Sequence, residues 1–396
     1  MRTNYQQTKI ACYLGIITQA ISANFAPLLF LTFRQEFGLS LGQVALIPTV
    51  FFFTQLLVDL ISAKYVDRIG YRPSIIASEA FSVAGLAGLA FLPALFSDPF
   101  VGILLCVILY AVGSGLIEVL VSPIIEACPF ENKEGTMSLL HSFYCWGSVA
   151  VILLSTLFFY VFGIRYWRVL ALLWTLIPLI NICNFAVCPI EHIVEADESM
   201  SILQLVKMPF FWLLVLLMIC AGASELSMAQ WASAFTESAL HVSKTAGDLA
   251  GPCLFAVLMG TSRVLYGKYS EKVDLLRFMQ GSGVLCVICY LLASLSPLPV
   301  FGLIGCALCG FSVGVMWPGT ISISAKKCPK GGTALFALLA LAGDLGGSLG
   351  PSFVGTVSDM AGENLQMGLL AAMVFPIALI VGLFFLKRNW PAGKRP

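Results

Sequence analysis

The chain has 396 residues, of which 59% are hydrophobic and only 11% charged, with 22 Lys and Arg against 21 Asp and Glu. Soluble domains run roughly 45–50% apolar and about 25% charged, so too few polar side chains remain to cover a water-facing surface. The excess must face lipid, and the balanced charge carries no polyanion-binding signature, so nucleic acid is not an expected partner.

Twelve apolar stretches are long enough to cross a bilayer, each near or above about 20 residues. In chain order they cover 10–33, 43–66, 73–95, 99–127, 134–162, 166–187, 209–240, 246–269, 275–296, 300–326, 332–360 and 364–386. No ten-residue alternation of a membrane barrel appears, so the fold class is all-α integral membrane. The first stretch is too long for a signal-peptide core and reads as an uncleaved first span. Between Cys188 and Met208 lie Glu191, His192, Glu195, Asp197 and Glu198, a charged linker at the midpoint. The expected organisation is therefore a six-helix bundle over 1–187, a linker over 188–208 and a second bundle over 209–396.

With both termini inside, the cytoplasmic segments hold 17 Lys and Arg, the external loops hold four, and Arg263 lies within a span. That asymmetry predicts cytoplasmic N- and C-termini, in a cell (plasma or inner) membrane. The halves also repeat. Lys64-Tyr65-Val66-Asp67-Arg68 closes span 2 and Lys268-Tyr269-Ser270-Glu271-Lys272 closes span 8. Cys128-Pro129 with Gly135-Thr136 precedes span 5, and Cys328-Pro329 with Gly332-Thr333 precedes span 11.

Twelve spans, a duplication and a charged central linker resemble the major facilitator superfamily of secondary transporters. The loop Asp67-Arg68-Ile69-Gly70-Tyr71-Arg72 is similar to its signature G-x-x-x-D-R-x-G-[RY]-[RK], with Ala63 in place of the leading Gly. The second copy, Gly267 through Glu271 and Lys272, keeps that Gly and lacks the later one. The resemblance implies two pseudo-symmetric six-helix bundles and a gating role for Asp67, Arg68, Gly70, Arg72, Gly267, Glu271 and Lys272. It also implies that the loop acid meets the N-terminus of span 11, where the helix dipole favours negative charge. In span 4, Gly113-Ser114-Gly115-Leu116-Ile117-Glu118 with Pro123 is similar to the G-x-G-x-x-E pattern of the fucose:proton symporter family, whose Glu takes part in sugar binding and proton transfer. Ser122 stands where that family has Asn, and span 1 holds no Asp or Glu.

Ionisable groups inside spans mark a pathway or a pair. At 1.5 Å per residue, Glu118 lies about 13 Å and His141 about 10 Å from the cytoplasmic ends of their spans. They share a depth, and are assigned to proton coupling; His changes charge near neutral pH. Gln19 and Asn24 in span 1, Tyr144 in span 5, Ser227, Gln230 and Trp231 in span 7 and Trp317 in span 10 are assigned to substrate binding. Asp59, near the basic loop, and Asp344, within Gly343-Asp344-Leu345-Gly346-Gly347, are assigned to gating. Glu79 is given no role, Glu225 falls opposite the polar side of span 7, and Arg263 is placed to snorkel or to pair with an acid.

The 13 cysteines lie mostly in apolar runs, where Cys acts as a small hydrophobe. No ligand-spaced set predicts a metal, and no cofactor is expected. No nucleophile–base pair or H-E-x-x-H supports an enzyme, and no G-x-x-x-x-G-K-[ST] loop supports ATP-driven transport. The predicted function is secondary active transport by alternating access, proton-coupled, with a small-molecule substrate, the proton and the lipid bilayer as partners, in a monomer. Uptake of a neutral, sugar-like solute suits the acid, amide and tryptophan inventory. Proton-driven efflux of drugs or metabolites is the alternative, and a transporter-like membrane sensor is the alternative from another class.

Overall fold

The computed structural model describes residues 5–191, 199–240, 249–296, 298–362 and 364–389. Residues 192–198, with His192, Glu195, Asp197 and Glu198 of the expected linker, lie outside them. The described residues are almost wholly helical, with no strand among them. The long helices are α1 (Tyr5–Asn24), α2 (Leu41–Ile69), α3 (Tyr71–Leu95), α4 (Pro99–Ala127), α5 (Lys133–Phe162), α6 (Ile164–Val187), α7 (Pro209–Leu240), α8 (Leu254–Tyr269), α9 (Leu275–Leu295), α10 (Val300–Lys327), α11 (Gly332–Met360) and α12 (Leu365–Asn389). Eleven of these regions, all but α8, are long and apolar enough to cross a membrane among the described residues. α8 has 16 residues and is preceded by a π-helical turn, Leu249–Cys253. The twelve regions fall on the twelve expected spans.

Prolines break three of them. Pro178, Pro318 and Pro376 each lack the N–H that would bond the carbonyl four residues earlier. The helices accordingly interrupt at Thr175, at Gly314–Val315 and at Met373.

The chain separates into two compact units. Unit 1 comprises 1–129, 146–199 and 332–337; unit 2 comprises 130–145, 200–331 and 338–396. The boundary at Ser199–Met200 falls within the expected linker, and the first part of α5 and the start of α11 are each grouped with the other unit.

Unit 1 has an aromatic core in which Phe25, Phe33, Phe51, Tyr110, Trp167 and Trp174 are buried together. At its rim, Trp167 Nε1 donates to Glu36 Oε2 at 2.8 Å and Arg168 pairs with the same carboxylate. Outward, α2 and α5 carry exposed Phe53, Leu57, Ile61, Leu154 and Leu157, apolar faces suited to acyl chains rather than water. Inside unit 1, α3 and α4 run in backbone contact, since a Cβ added at Gly85 would lie 2.5 Å from Tyr110 N.

In unit 2, α7 and α11 approach as closely. A Cβ at Gly222 would overlap the Gly343 carbonyl oxygen, and one at Gly346 would overlap that of Ile219. The glycine run of span 11 therefore serves close packing against α7.

Candidate functional site

Glu118 sits half-buried on α4, and the glycines before it explain its surroundings. A Cβ at Gly113 would lie 2.5 Å from the Ser78 carbonyl oxygen of α3. A Cβ at Gly115 would lie 3.0 Å from Val58 and 3.4 Å from Gln55 of α2. With those positions bare, α4 closes on both neighbours. Glu118, one turn past Gly115, then meets two carboxamides. Gln19 Nε2 of α1 donates to Glu118 Oε2 at 2.8 Å, and Gln55 Nε2 of α2 donates to the same oxygen. Gln19 and Gln55 are themselves buried. Two amide donors converging on one carboxylate oxygen in an apolar bundle form a strong, directional set, and they leave Oε1 to a third partner.

Elsewhere in unit 1, Asn24 Nδ2 donates to the Ala20 carbonyl oxygen at 2.8 Å and to Ser148 Oγ at 3.0 Å. Asp59 is fully buried on α2, one turn beyond Gln55. Glu79, which sequence reasoning left without a role, is also fully buried; its Oε1 accepts from Asn181 Nδ2 at 2.7 Å. That amide also donates to the Ala11 carbonyl oxygen at 2.9 Å, so the trio joins α1, α3 and α6.

The signature loop connects α2 to α3 at Gly70, whose φ of +96° is open to glycine and strained for other residues. Asp67 stands over the first residue of α11: a Cβ at Gly332 would lie 3.3 Å from its Oδ2. Tyr71 is buried, and its hydroxyl accepts from Thr333 Oγ1 at 2.7 Å. Arg68 is exposed. Arg72 turns elsewhere, donating to the carbonyl oxygens of Phe185, Ala186 and Cys188 at 2.7–2.8 Å. It caps the C-terminus of α6, where a cation also meets the negative end of the helix dipole.

The second copy of the loop lies in unit 2 and uses different chemistry. A Cβ at Gly267 would lie 3.0 Å from the Gly135 carbonyl oxygen at the start of α5. Asn132 Nδ2 donates to Ser270 Oγ at 2.8 Å, and Glu134 accepts from Tyr266 at 3.1 Å and Lys326 at 3.3 Å. Glu271 and Lys272 are exposed. Each loop thus meets the Gly-Thr start of a helix, 135–136 or 332–333, with an acid in one copy and an amide–hydroxyl pair in the other.

His141 belongs to unit 2, whereas Glu118 belongs to unit 1. His141 is buried and Tyr144 half-buried on α5. On α7, Ser227 is fully buried against Gly350 of α11, Gln230 is exposed and Trp231 is half-buried. Trp231 Nε1 donates to the Pro351 carbonyl oxygen at 3.2 Å, and the Trp317 ring lies over Gly343. Both tryptophans therefore pack on α11, along with half-buried Asp344. Glu225 pairs with Arg263 of α8 at 3.4 Å, a contact sequence reasoning left open. Pro318 leaves the Gly314 carbonyl without its helical donor, and Arg263 Nε donates to that oxygen at 2.7 Å. Gln55 was also missed, although it lies one turn from Asp59. Among the described residues no group of three or more His, Cys, Asp or Glu is placed to hold a metal ion.

A twelve-region helical fold with buried carboxylates tied to amides and a guanidinium, and a loop packed on helix starts, defines the class: a multi-pass membrane protein of transporter architecture. The sequence profile of the Major Facilitator Superfamily matches residues 11–351, and the chain belongs to that family. Its fold is similar to that of the E. coli fucose:proton symporter FucP, at a TM-score of 0.81 and 14% identity over 96% of this chain and 98% of that one. It is also similar to the proton:xylose symporter XylE (0.77, 12%, 97% and 95%) and to the human organic anion transporter MFSD10 (0.76, 15%, 96% and 100%). No curated protein matches the chain by sequence. The family and fold are those of transporters.

Proposed function

We propose that this chain is a proton-coupled secondary transporter that takes up a small, hydroxylated, sugar-like solute by alternating access. The observation that carries this reading is the Glu118 carboxylate held by Gln19 and Gln55. A carboxylate with amide neighbours offers both acceptors and donors to sugar hydroxyls, and a carboxyl group is also the simplest proton carrier. Proton-linked sugar transport by the structurally similar FucP and XylE supports the assignment. His141 is the second group assigned to proton handling, and Asn24, Tyr144, Gln230, Trp231 and Trp317 remain assigned to the solute. The polar residues bind and carry rather than break bonds, so no catalytic activity is assigned.

The test is uptake by purified protein in liposomes. With an alkaline interior, hexose should accumulate above its external concentration, and collapsing the pH difference should abolish the accumulation. Uptake indifferent to the pH difference would remove proton coupling.

The charge asymmetry supports an orientation with both termini and the linker cytoplasmic. A Cys placed at Glu195 should react with an impermeant thiol reagent only once cells are opened; labelling of intact cells reverses the orientation.

Asp67 is assigned to the cytoplasmic gate. A carboxylate at a helix start contributes about 0.3–1 kcal/mol, so Asp67→Asn should slow transport roughly two- to fivefold, the rate change such an energy gives. Ligand binding by the solubilised protein should survive. Unchanged transport would make the loop a topology determinant only.

A further inference from the structure

Arg263 lies within a span, towards the C-terminal end of α8, and it is buried. Its position is set by main-chain atoms. Pro318 leaves the Gly314 carbonyl of α10 without its helical donor, and Arg263 Nε supplies one at 2.7 Å. Nη1 donates to the His141 carbonyl oxygen of α5 at 2.9 Å and to Cys145 Sγ at 3.2 Å. These anchors hold the guanidinium whether or not an acid is beside it. The tie to Glu225 of α7 is of another kind. It is a single contact, Nη2 to Oε2, at 3.4 Å, and the Glu225 side chain is 16% exposed against 5% for Arg263. An Arg–carboxylate pair at its best is bidentate at about 2.7–2.9 Å. Here a cation anchored by two carbonyl oxygens and a thiol makes only one long contact to an anion.

We propose that Arg263 is the binding group for a ligand carboxylate, and that Glu225 is the internal anion that occupies its place when the ligand is absent. The solute class then extends from neutral sugars to hydroxylated monocarboxylates of the sugar-acid type. This rests on the transport reading and goes beyond it. Two carboxylates against one guanidinium leave an uncompensated charge in an apolar interior, which is costly. The incoming anion is therefore accepted together with a proton that neutralises Glu225, and the net charge of the site is conserved. Among the described residues, Arg263 of α8 pairs with Glu225, Cys145 of α5 interacts with it electrostatically, and His141 lies beside Arg263; Tyr290 of α9 donates to the carbonyl oxygen of the adjacent Ser224, and α10 supplies the Gly314 carbonyl to Arg263.

The test uses the full-length purified protein, with glucuronate as probe and glucose as its neutral counterpart, by titration calorimetry at mildly acidic and mildly alkaline pH. Wild-type protein should bind glucuronate more tightly at the acidic pH. Glu225→Gln removes the competing anion, so at alkaline pH it should bind glucuronate roughly tenfold more tightly, the scale of one charge-assisted hydrogen bond, and lose the pH dependence. Glucose binding should be the same in both proteins. A purely structural pair predicts the opposite sign, so glucuronate affinity that is weakened or unchanged in Glu225→Gln overturns the proposal, as does no glucuronate binding by either protein. Should that variant fail to fold, Glu225→Gln combined with Arg263→Gln restores neutrality; it should lose glucuronate and keep glucose, and retained glucuronate binding overturns the proposal. Glucose binding that is absent in wild type, with the glucuronate pattern intact, would instead count against the neutral-sugar reading alone.

Discussion

Glu118→Gln protein is expected to bind its solute and exchange it across equal concentrations, yet to fail to concentrate it. Gln keeps the length of Glu118 and can still hydrogen-bond Gln19 and Gln55 by turning its amide. What it loses is the ability to gain and release a proton. If one proton moves with one neutral solute and no voltage is imposed, a pH difference of one unit stores about 1.4 kcal/mol, enough for about tenfold accumulation. In liposomes the wild-type protein should approach that ratio, and the variant should stay near one while its exchange rate falls only a few-fold. Undiminished pH-driven accumulation by Glu118→Gln would leave the carboxylate as interhelical glue between α1, α2 and α4. Loss of binding altogether would make it a solute ligand before a proton carrier.

The second large effect concerns packing. Gly222→Ala adds a methyl group where the Gly343 carbonyl oxygen already sits, and both groups are backbone. Neither can turn aside, so α7 and α11 must separate. Overpacking of this kind costs about 1–3 kcal/mol, and the thermal midpoint of the purified protein should fall by several degrees, with transport slowed. Gly281→Ala is the matched control. Gly281 is an exposed helical residue of α9 with nothing within 4 Å of an added Cβ, and its φ is not positive. It should show no loss, since Ala is the better helix former. Equal behaviour of the two variants would mean that α7 and α11 yield to each other without cost.

Much of the fold was legible in the sequence because a bilayer imposes one rule on every span: about 20 apolar residues with internal backbone hydrogen bonds. Hydropathy alone reads that rule, and among the described residues eleven of the twelve helical regions answer it. The G-D-L-G-G-S-L-G run of α11 was likewise readable as a close-packing segment, whereas the G-S-G-L-I-E run of α4 was readable only through its resemblance to a family pattern. The loop at Asp67 and Tyr71 was readable as meeting the start of span 11 only through its resemblance to a family signature.

Partners were not legible. Hydropathy says that Glu118, Glu79, Glu225 and Arg263 are inside, but not which way each faces. Gln55 became a ligand of Glu118 because Gly115 lets α2 approach, a matter of where two helices touch rather than of spacing along either one. Asn181 meets Glu79 across 102 positions of sequence, and Arg263 meets His141 across 122. The residues expected to line a binding surface on α7 show the same limit. Helical angle grouped Ser227 with Gln230 and Trp231, whereas packing on α11 buries Ser227, ties the Trp231 indole to Pro351 and leaves Gln230 exposed. By itself the sequence determined the membrane class, the all-helical fold and the family, because these follow from local composition and repeated motifs. Only the tertiary structure decided which amides hold Glu118, that Arg72 caps α6, and that Arg263 fills the carbonyl left by Pro318. Those are contacts between distant segments, and their geometry is set by how closely each pair of helices packs.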